Sequence, residues 1–186
     1  STPIKSSAAS DVYKRQVRKM MQEHFGDSFP MEEIIQSVHH NMDLQFSTKG
    51  VPVKPGLMNL LKYTKEHGYR TMVATSSDRD RVEQILKYAG IEEYFNDIIC
   101  GNEVAQGKPN PDIFLKGCRK LAVEPEETYV VEDSEMGVLA AFRAGIDVIC
   151  VPDMKEPEEE YREMTLCVVR SLSEAKDVIA ARDSGN

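Results

Sequence analysis

The sequence predicts an α/β fold, a parallel sheet with helices on both faces, and three observations carry that prediction. From residue 57 onward, short apolar runs alternate with segments whose apolar residues recur at helical spacing. The apolar runs are nearly unbroken, as strands buried on both faces require. Three polar motifs stand where an apolar run ends and a helical pattern begins: Val73-Ala74-Thr75-Ser76-Ser77, Gly107-Lys108-Pro109-Asn110-Pro111-Asp112 and Val130-Val131-Glu132-Asp133-Ser134. In a parallel sheet covered by helices, that junction is the carboxyl edge, where ligands bind.

Taken in order, residues 17–25 and 31–44 carry apolar positions at helical spacing, with residues 26–30 breaking between them. Gly50-Val51-Pro52-Val53-Lys54-Pro55-Gly56 is a stiff, extended connector, because two prolines fix φ, and it marks the domain boundary. Beyond it come a helix over 57–67 ending at Gly68, a strand over 70–74 and a helix over 78–89 closed by Gly90. A short strand over 97–100 precedes a helix over 111–121 with proline in its first turn. A strand over 129–131, a helix over 134–144 closed by Gly145 and a strand over 148–151 follow. A strand over 165–169 and a helix over 173–181 finish the chain. Glycine after the periodic run marks the stops at Gly68, Gly90 and Gly145, since it accepts the left-handed conformation found there. Residues 156–160, nearly all glutamate, are a solvated acidic surface segment.

Composition narrows the function classes. With 186 residues, 41% of them hydrophobic, the chain can bury one well-packed core and carry a small appendage. A net charge of −8 excludes nucleic acid or an anionic membrane as the main partner. No apolar stretch reaches the roughly 20 residues that cross a bilayer, and the sequence as it stands opens on no secretory signal. Cys100, Cys118, Cys150 and Cys167 show no paired spacing, and three of them fall in strand-like apolar runs. They read as buried free thiols of a protein of the reducing cytoplasm, not as metal ligands or disulfide partners.

Ser6-Ser7-Ala8-Ala9-Ser10-Asp11-Val12-Tyr13-Lys14-Arg15-Gln16 agrees, residue for residue, with the translation of a transposase adapter used to prepare sequencing libraries. Residues 1–16 are therefore set aside from fold reasoning as a non-native segment, with Val17 the first residue taken as natural.

Each motif carries a specific chemistry. Thr75 offers a hydroxyl at a strand end, and the amides from Ser76 onward open a helix, so hydrogen bonds and helix dipole together favour an anionic oxygen. Plain helix capping by Ser76 or Ser77 explains those serines equally well. Lys108 sits in a loop stiffened by Pro109 and Pro111, which aims its ammonium as a point charge for a phosphate or for nearby carboxylates. An exposed loop lysine is the alternative. Asp112 caps or braces this loop. Glu132 and Asp133 are adjacent carboxylates at a strand end, costly to bury without a cation. Mg2+ suits them, because it takes few carboxylates and keeps water and substrate oxygens as its other ligands. Gly137, Ala140, Ala141 and Ala144 form a small-residue stripe that lets the following helix approach the sheet closely.

Lys108 follows Thr75 by 33 residues, and Glu132 follows Lys108 by 24. In this order and spacing the motifs resemble those of the haloacid dehalogenase-like phosphohydrolases, in the group holding β-phosphoglucomutase and sugar-phosphate phosphatases. The likeness runs from about residue 54 to residue 151. It implies a Rossmann-like core with a helical cap, and Mg2+-dependent phosphoryl transfer through an aspartyl-phosphate on a small phosphorylated metabolite. Thr75 and the Ser76 amide would hold the phosphate, Lys108 would stabilise its charge and serve catalysis, and Asp133 and Glu132 would hold the metal directly or through water. The parent protein would be a cytoplasmic monomer.

The family's first motif, Asp-x-Asp-Gly on the first strand, supplies the nucleophile and the general acid/base, and it has no counterpart here. The resemblance then implies a core lacking its first strand over residues 50–186, and a remnant of the helical cap over residues 17–49. The chain would be N-terminally truncated and inactive as it stands, with a gap between the strands ending at Thr75 and at Glu132-Asp133. Thr75, Lys108 and Asp133 should still converge, with Lys108 taking over charge compensation for the carboxylates. A phosphosugar mutase shares all three motifs, and a non-catalytic phosphate-binding domain is a rival from another class. A receiver domain is set aside because its lysine should follow its acidic cluster.

Overall fold

The computed structural model describes residues 19–153 and 155–185. The adapter-like segment lies outside the described residues. Residues 19–25 are helical, and α1 (Met31–Lys49) follows. α1 runs five residues beyond the expected end at residue 44. Its last turn is polar, so apolar periodicity could not extend it. It ends at Gly50, whose φ of 79° stops the helix. α1 buries none of its residues and meets the helix Arg79–Ala89 near its own C-terminal end. There Asp43 pairs with Arg81, while Phe46 lies 6.3 Å from Tyr88 between ring centroids.

The core begins with α2 (Leu57–Glu66), then β1 (Met72–Thr75), α3 (Arg79–Ala89), β2 (Asp97–Cys100) and α4 (Asp112–Leu121). It continues through β3 (Tyr129–Glu132), α5 (Glu135–Arg143), β4 (Asp147–Cys150), α6 (Glu159–Arg162), β5 (Cys167–Val168) and α7 (Leu172–Asp183). β1 starts two residues later than expected, because Thr71 is committed to the Tyr94 carbonyl and to Asn96. β5 is the shortest strand. Leu166 and Val169 on either side of it still donate to the carbonyls of Val148 and Cys150, at 2.8 and 2.9 Å.

Among the described residues all ladders are parallel, and they form two sheets: β1-β2, and β3-β4-β5. Side chains alternate between the faces. On β4, Val148 and Cys150 pack with Ile113, Phe114 and Val138 from α4 and α5. Ile149 packs the other way, against Leu60 of α2 and Leu172, Ala175 and Ile179 of α7. Helices thus cover both faces, which is the α/β layering the sequence predicts. α2 and α7 meet closely at Gly56. Its φ of 88° demands glycine, and a Cβ there would lie 2.2 Å from the Ser173 amide nitrogen.

The described residues place no strand between β1 and β3. Among the described residues β1 and β3 pair only with the strands behind them. Between them lies an apolar slot of about 530 Å³ walled by Met72, Ala74, Phe114, Val130 and Val131, with Leu60 on the opposite face. Among the described residues no helix is long and apolar enough to cross a membrane.

Candidate active site

The three strand-to-helix junctions converge above the slot. A cavity of about 460 Å³ is lined there by Thr75, Ser76, Lys108, Glu132, Asp133 and Lys54. Thr75 closes β1. Its hydroxyl oxygen accepts the Ser77 N–H at 3.1 Å, which leaves its own O–H free to donate. Ser76 is exposed at the mouth, one turn before α3. Thr75 thus combines the capping and anion-donor readings in one side chain.

Lys108 crosses between the two sheets. Its ammonium donates to the Ala74 carbonyl of β1 at 3.4 Å and to a Glu132 carboxylate oxygen on β3 in a short contact. It also lies 5.0 Å from the centroid of the Phe114 ring, a cation–π approach. The side chains of Lys108 and Glu132 are only 12% and 9% exposed, so the pair is buried and not a loop lysine in water. Removing one partner of such a pair strands a buried charge, at a cost of about 3–5 kcal/mol.

The Lys108 loop is braced by residues the motif alone does not identify. The Asp112 N–H donates to Asn110 Oδ1 at 3.1 Å, so Asn110 caps this turn and Asp112 does not. Arg143, at the end of α5, donates to the Pro109 carbonyl at 3.0 Å. No periodicity or spacing points to Arg143, because its partner is brought to it by the fold alone.

Glu132 is held from the other side as well. Its second oxygen accepts the Ser134 hydroxyl at 3.0 Å and lies 3.3 Å from the Asp133 amide. The carboxylate rests directly on Gly137, where a Cβ would come within 2.1 Å of its carboxyl carbon. Gly137 is therefore more than one member of a packing stripe: it makes room for the carboxylate at the N-terminus of α5. Ser134 caps that helix by accepting the Gly137 N–H at 3.1 Å.

Asp133 differs from its neighbour. It is exposed, lines the cavity, and its carboxylate makes no hydrogen bond or ion pair among the described residues. No cluster of three metal-ligating side chains occurs among those residues, so a cation here would rest on Asp133 and Glu132 with water and substrate oxygens. Lys54 is a second cation that sequence reading passed over. It lies on the cavity wall, with its ammonium 3.3 Å from the Val151 carbonyl and 3.2 Å from Asp153. Cys150, beneath the carboxylates, is buried. Desolvation, reinforced by the negative charge of Glu132 and Asp133, pushes its thiol up to about 11, so it stays protonated and inert.

A buried lysine, a strand-end hydroxyl and paired carboxylates at the carboxyl edge of a parallel sheet define an α/β protein with a site for a phosphate group. The family described as haloacid dehalogenase-like hydrolase matches residues 3–151, and the chain belongs to that family. A bifunctional riboflavin kinase/FMN phosphatase of Arabidopsis thaliana is 38% identical over 108 residues, 58% of this chain and 28% of that protein. A phosphorylated carbohydrates phosphatase of Thermotoga maritima is 34% identical over 119 residues, 64% of this chain and 55% of that one. The chain thus spans about a quarter to a half of the length of these two curated relatives. Among solved structures, CbbY from Rhodobacter sphaeroides in complex with xylulose-(1,5)bisphosphate superposes with a TM-score of 0.68 at 29% identity, covering 79% of this chain and 66% of that one.

Proposed function

We propose that the cavity between Thr75 and Asp133 binds the phosphate group of small phosphorylated metabolites, sugar phosphates above all. The whole cytoplasmic protein would hydrolyse them with Mg2+ through an aspartyl-phosphate. The observation that carries this reading is the way Lys108 is held. An ammonium has three N–H donors, and two are spent on Ala74 and Glu132, so the third remains for an anion in the cavity. The free O–H of Thr75 and the amides opening α3 add neutral donors beside it.

The residues fit a magnesium ion, since Asp133 stands uncommitted at the cavity wall and Glu132 is its neighbour. Bound there, the ion would neutralise charge on the phosphoryl oxygens. Glu132, held by Lys108, Ser134 and the N-terminus of α5, fixes the position of Lys108 and compensates its charge. The sugar-phosphate choice is supported by the named substrates and ligand of the Thermotoga and Rhodobacter proteins.

Among the described residues, the only carboxylates lining the cavity are Glu132 and Asp133. The family's nucleophile would stand beside Thr75, and the reading therefore includes the expectation that this chain binds phosphate without turning it over. Titration of this chain with inorganic phosphate, followed by amide resonances, tests the binding half. The Thr75 and Ser76 signals should move at millimolar phosphate and stay still in Lys108→Ala. Unmoved signals in the unaltered chain would refute the site. Hydrolysis of an aryl phosphate at about 1 per second or faster would refute the inactivity.

A further inference from the structure

The structure assigns Lys54 a part in choosing the ligand: it reads a carboxylate carried by the phosphorylated molecule. Phosphorylated hydroxy acids and sugar acids are then preferred over uncharged-tail sugar phosphates of the same length. This deepens the phosphate reading of the cavity and rests on it.

Two ammoniums line this cavity, and they reach it from opposite faces of the sheet. Lys108 arrives over α4, against the ring of Phe114. Lys54 leads into α2, whose Leu60 packs on the other face with Val151 and with Leu172 of α7. The two are held differently. Lys108 is locked to Glu132 in a pair that is almost wholly buried. Lys54 makes only long contacts, at 3.3 Å to the Val151 carbonyl, 3.5 Å to the Pro152 carbonyl and 3.2 Å to Asp153. Charge-assisted bonds settle at about 2.7–2.9 Å. Its carboxylate partner is 64% exposed, and an ion pair so open to water is worth little.

Asp153 is therefore a carboxylate that Lys54 can exchange. A ligand carboxylate takes its place on the ammonium, Asp153 turns to water, and the two carbonyls keep Lys54 where it stands. No buried charge is stranded by the exchange. An ammonium donates and cannot accept, so a carboxylate suits it better than a sugar hydroxyl does. Span agrees with chemistry. Lys54 sits at the end of β4, while Lys108 stands in front of β3 on the β1 side, so roughly two strand spacings, about 10 Å, separate them. Two contacts of about 2.8 Å leave about 4 Å between the anionic groups of the ligand, which a two- or three-carbon skeleton bridges. The cavity of about 460 Å³ also exceeds what a phosphate ion fills, lying in the range of about 300–1,000 Å³ that holds whole small molecules.

The test titrates the full 186-residue chain with two ligands of one skeleton, 3-phosphoglycerate and glycerol 3-phosphate, and follows amide resonances. 3-Phosphoglycerate should bind about three- to fivefold more tightly, the scale of one partly screened ion pair. It alone should move the Asp153 amide. In Lys54→Met the ratio of the two affinities should fall to about one, and in Lys54→Arg the preference should persist. Asp153→Asn should widen the ratio to about tenfold, because the competing carboxylate is gone. That variant changes an exposed side chain, so it decides the question where Lys54→Met does not fold. Equal affinity for the two ligands, or a ratio that Asp153→Asn leaves unchanged, would overturn the part given to Lys54. If Thr75 and Ser76 still shift equally with both ligands, the phosphate site stands without it. Silence of those amides toward both ligands would refute the phosphate reading, and this inference with it.

Discussion

The two strands that face the slot and the two behind them have similar apolar content but different fates. β2 and β4 bury five of their eight residues, while β1 and β3 bury one of eight. β1 reads Met-Val-Ala-Thr, apolar enough for a central strand, yet none of its residues is buried. β4 lies between two strands and buries Val148, Ile149 and Cys150 almost completely. Apolar sequence creates the demand for burial; strands on both edges satisfy it for β4, and for β2, paired on one edge only, the cluster of Ile99 with Ile113 and Phe114 of α4 satisfies it. The site motifs hang from the less-buried pair, so the chemistry of this chain is mounted on its least supported strands.

The largest effect expected concerns the group that joins the two halves. Lys108→Ala leaves Glu132 buried without its cation and should destabilise the chain by about 3–5 kcal/mol in urea unfolding. Lys108→Met with Glu132→Leu should recover most of that loss, since it removes both charges. A single substitution that costs nothing would show that the two halves are held without this pair.

Next in size, Ile149→Ala in β4 should cost about 2–5 kcal/mol. Val73→Ala in β1 should cost less than about 1 kcal/mol, as at partly exposed positions. Equal losses would break the comparison between facing and backing strands. Gly137→Ala tests the seat of the carboxylate. It should cost about 1–3 kcal/mol, as overpacking does, and should weaken phosphate binding because Glu132 must shift and take Lys108 with it. Unchanged phosphate affinity would separate Glu132 from the site.

The smallest effect is acid sensitivity. The Lys120 ammonium beside Asp97 holds its carboxyl below the usual range, and hydrogen bonds from Tyr69 and then Tyr63 do the same for Asp183. Burial alone would raise Glu103, but Arg79 and the Cys100 amide outweigh it and lower it. A carboxyl depressed in the folded state stabilises above its unfolded value, near pH 4, and that stability is lost as pH falls through the folded value. Melting temperature should therefore hold steady near pH 6 and drop below about pH 4. Asp183→Asn should flatten part of that drop. An identical acid profile in the variant would remove Asp183 from the account.

Much of this architecture was legible in the sequence, for identifiable reasons. β2 spans residues 97–100, as its apolar run indicates, and α3 ends at Gly90, whose φ of 64° is what that glycine predicts. The junctions at Thr75, Lys108 and Glu132 were legible because polar residues interrupt apolar runs there. The gap between β1 and β3 came from family resemblance, since periodicity identifies strands and says nothing of which strands pair. The extension of α1 was hidden because Ser47 and Thr48 bond back to the Leu44 carbonyl, a local capability that leaves no periodic trace. Arg143, Lys54 and the seat on Gly137 were illegible, because each acts on a partner that only the tertiary fold brings near.

The seam between α2 and α7 has a kinetic meaning. Gly56 lies against Ser173, the Leu172 amide donates to the Pro55 carbonyl at 3.1 Å, and Tyr69, just beyond α2, reaches Asp183 across 114 residues of chain. One partner of each contact precedes the first strand and the other follows the last, so the seam closes the longest loop in the core. Contacts of such separation form late and slow the search for the native topology. Deleting α7 would therefore act as more than the loss of a surface helix, since it would remove the clasp that lets the β1 half and the β3 half complete folding as one cooperative unit.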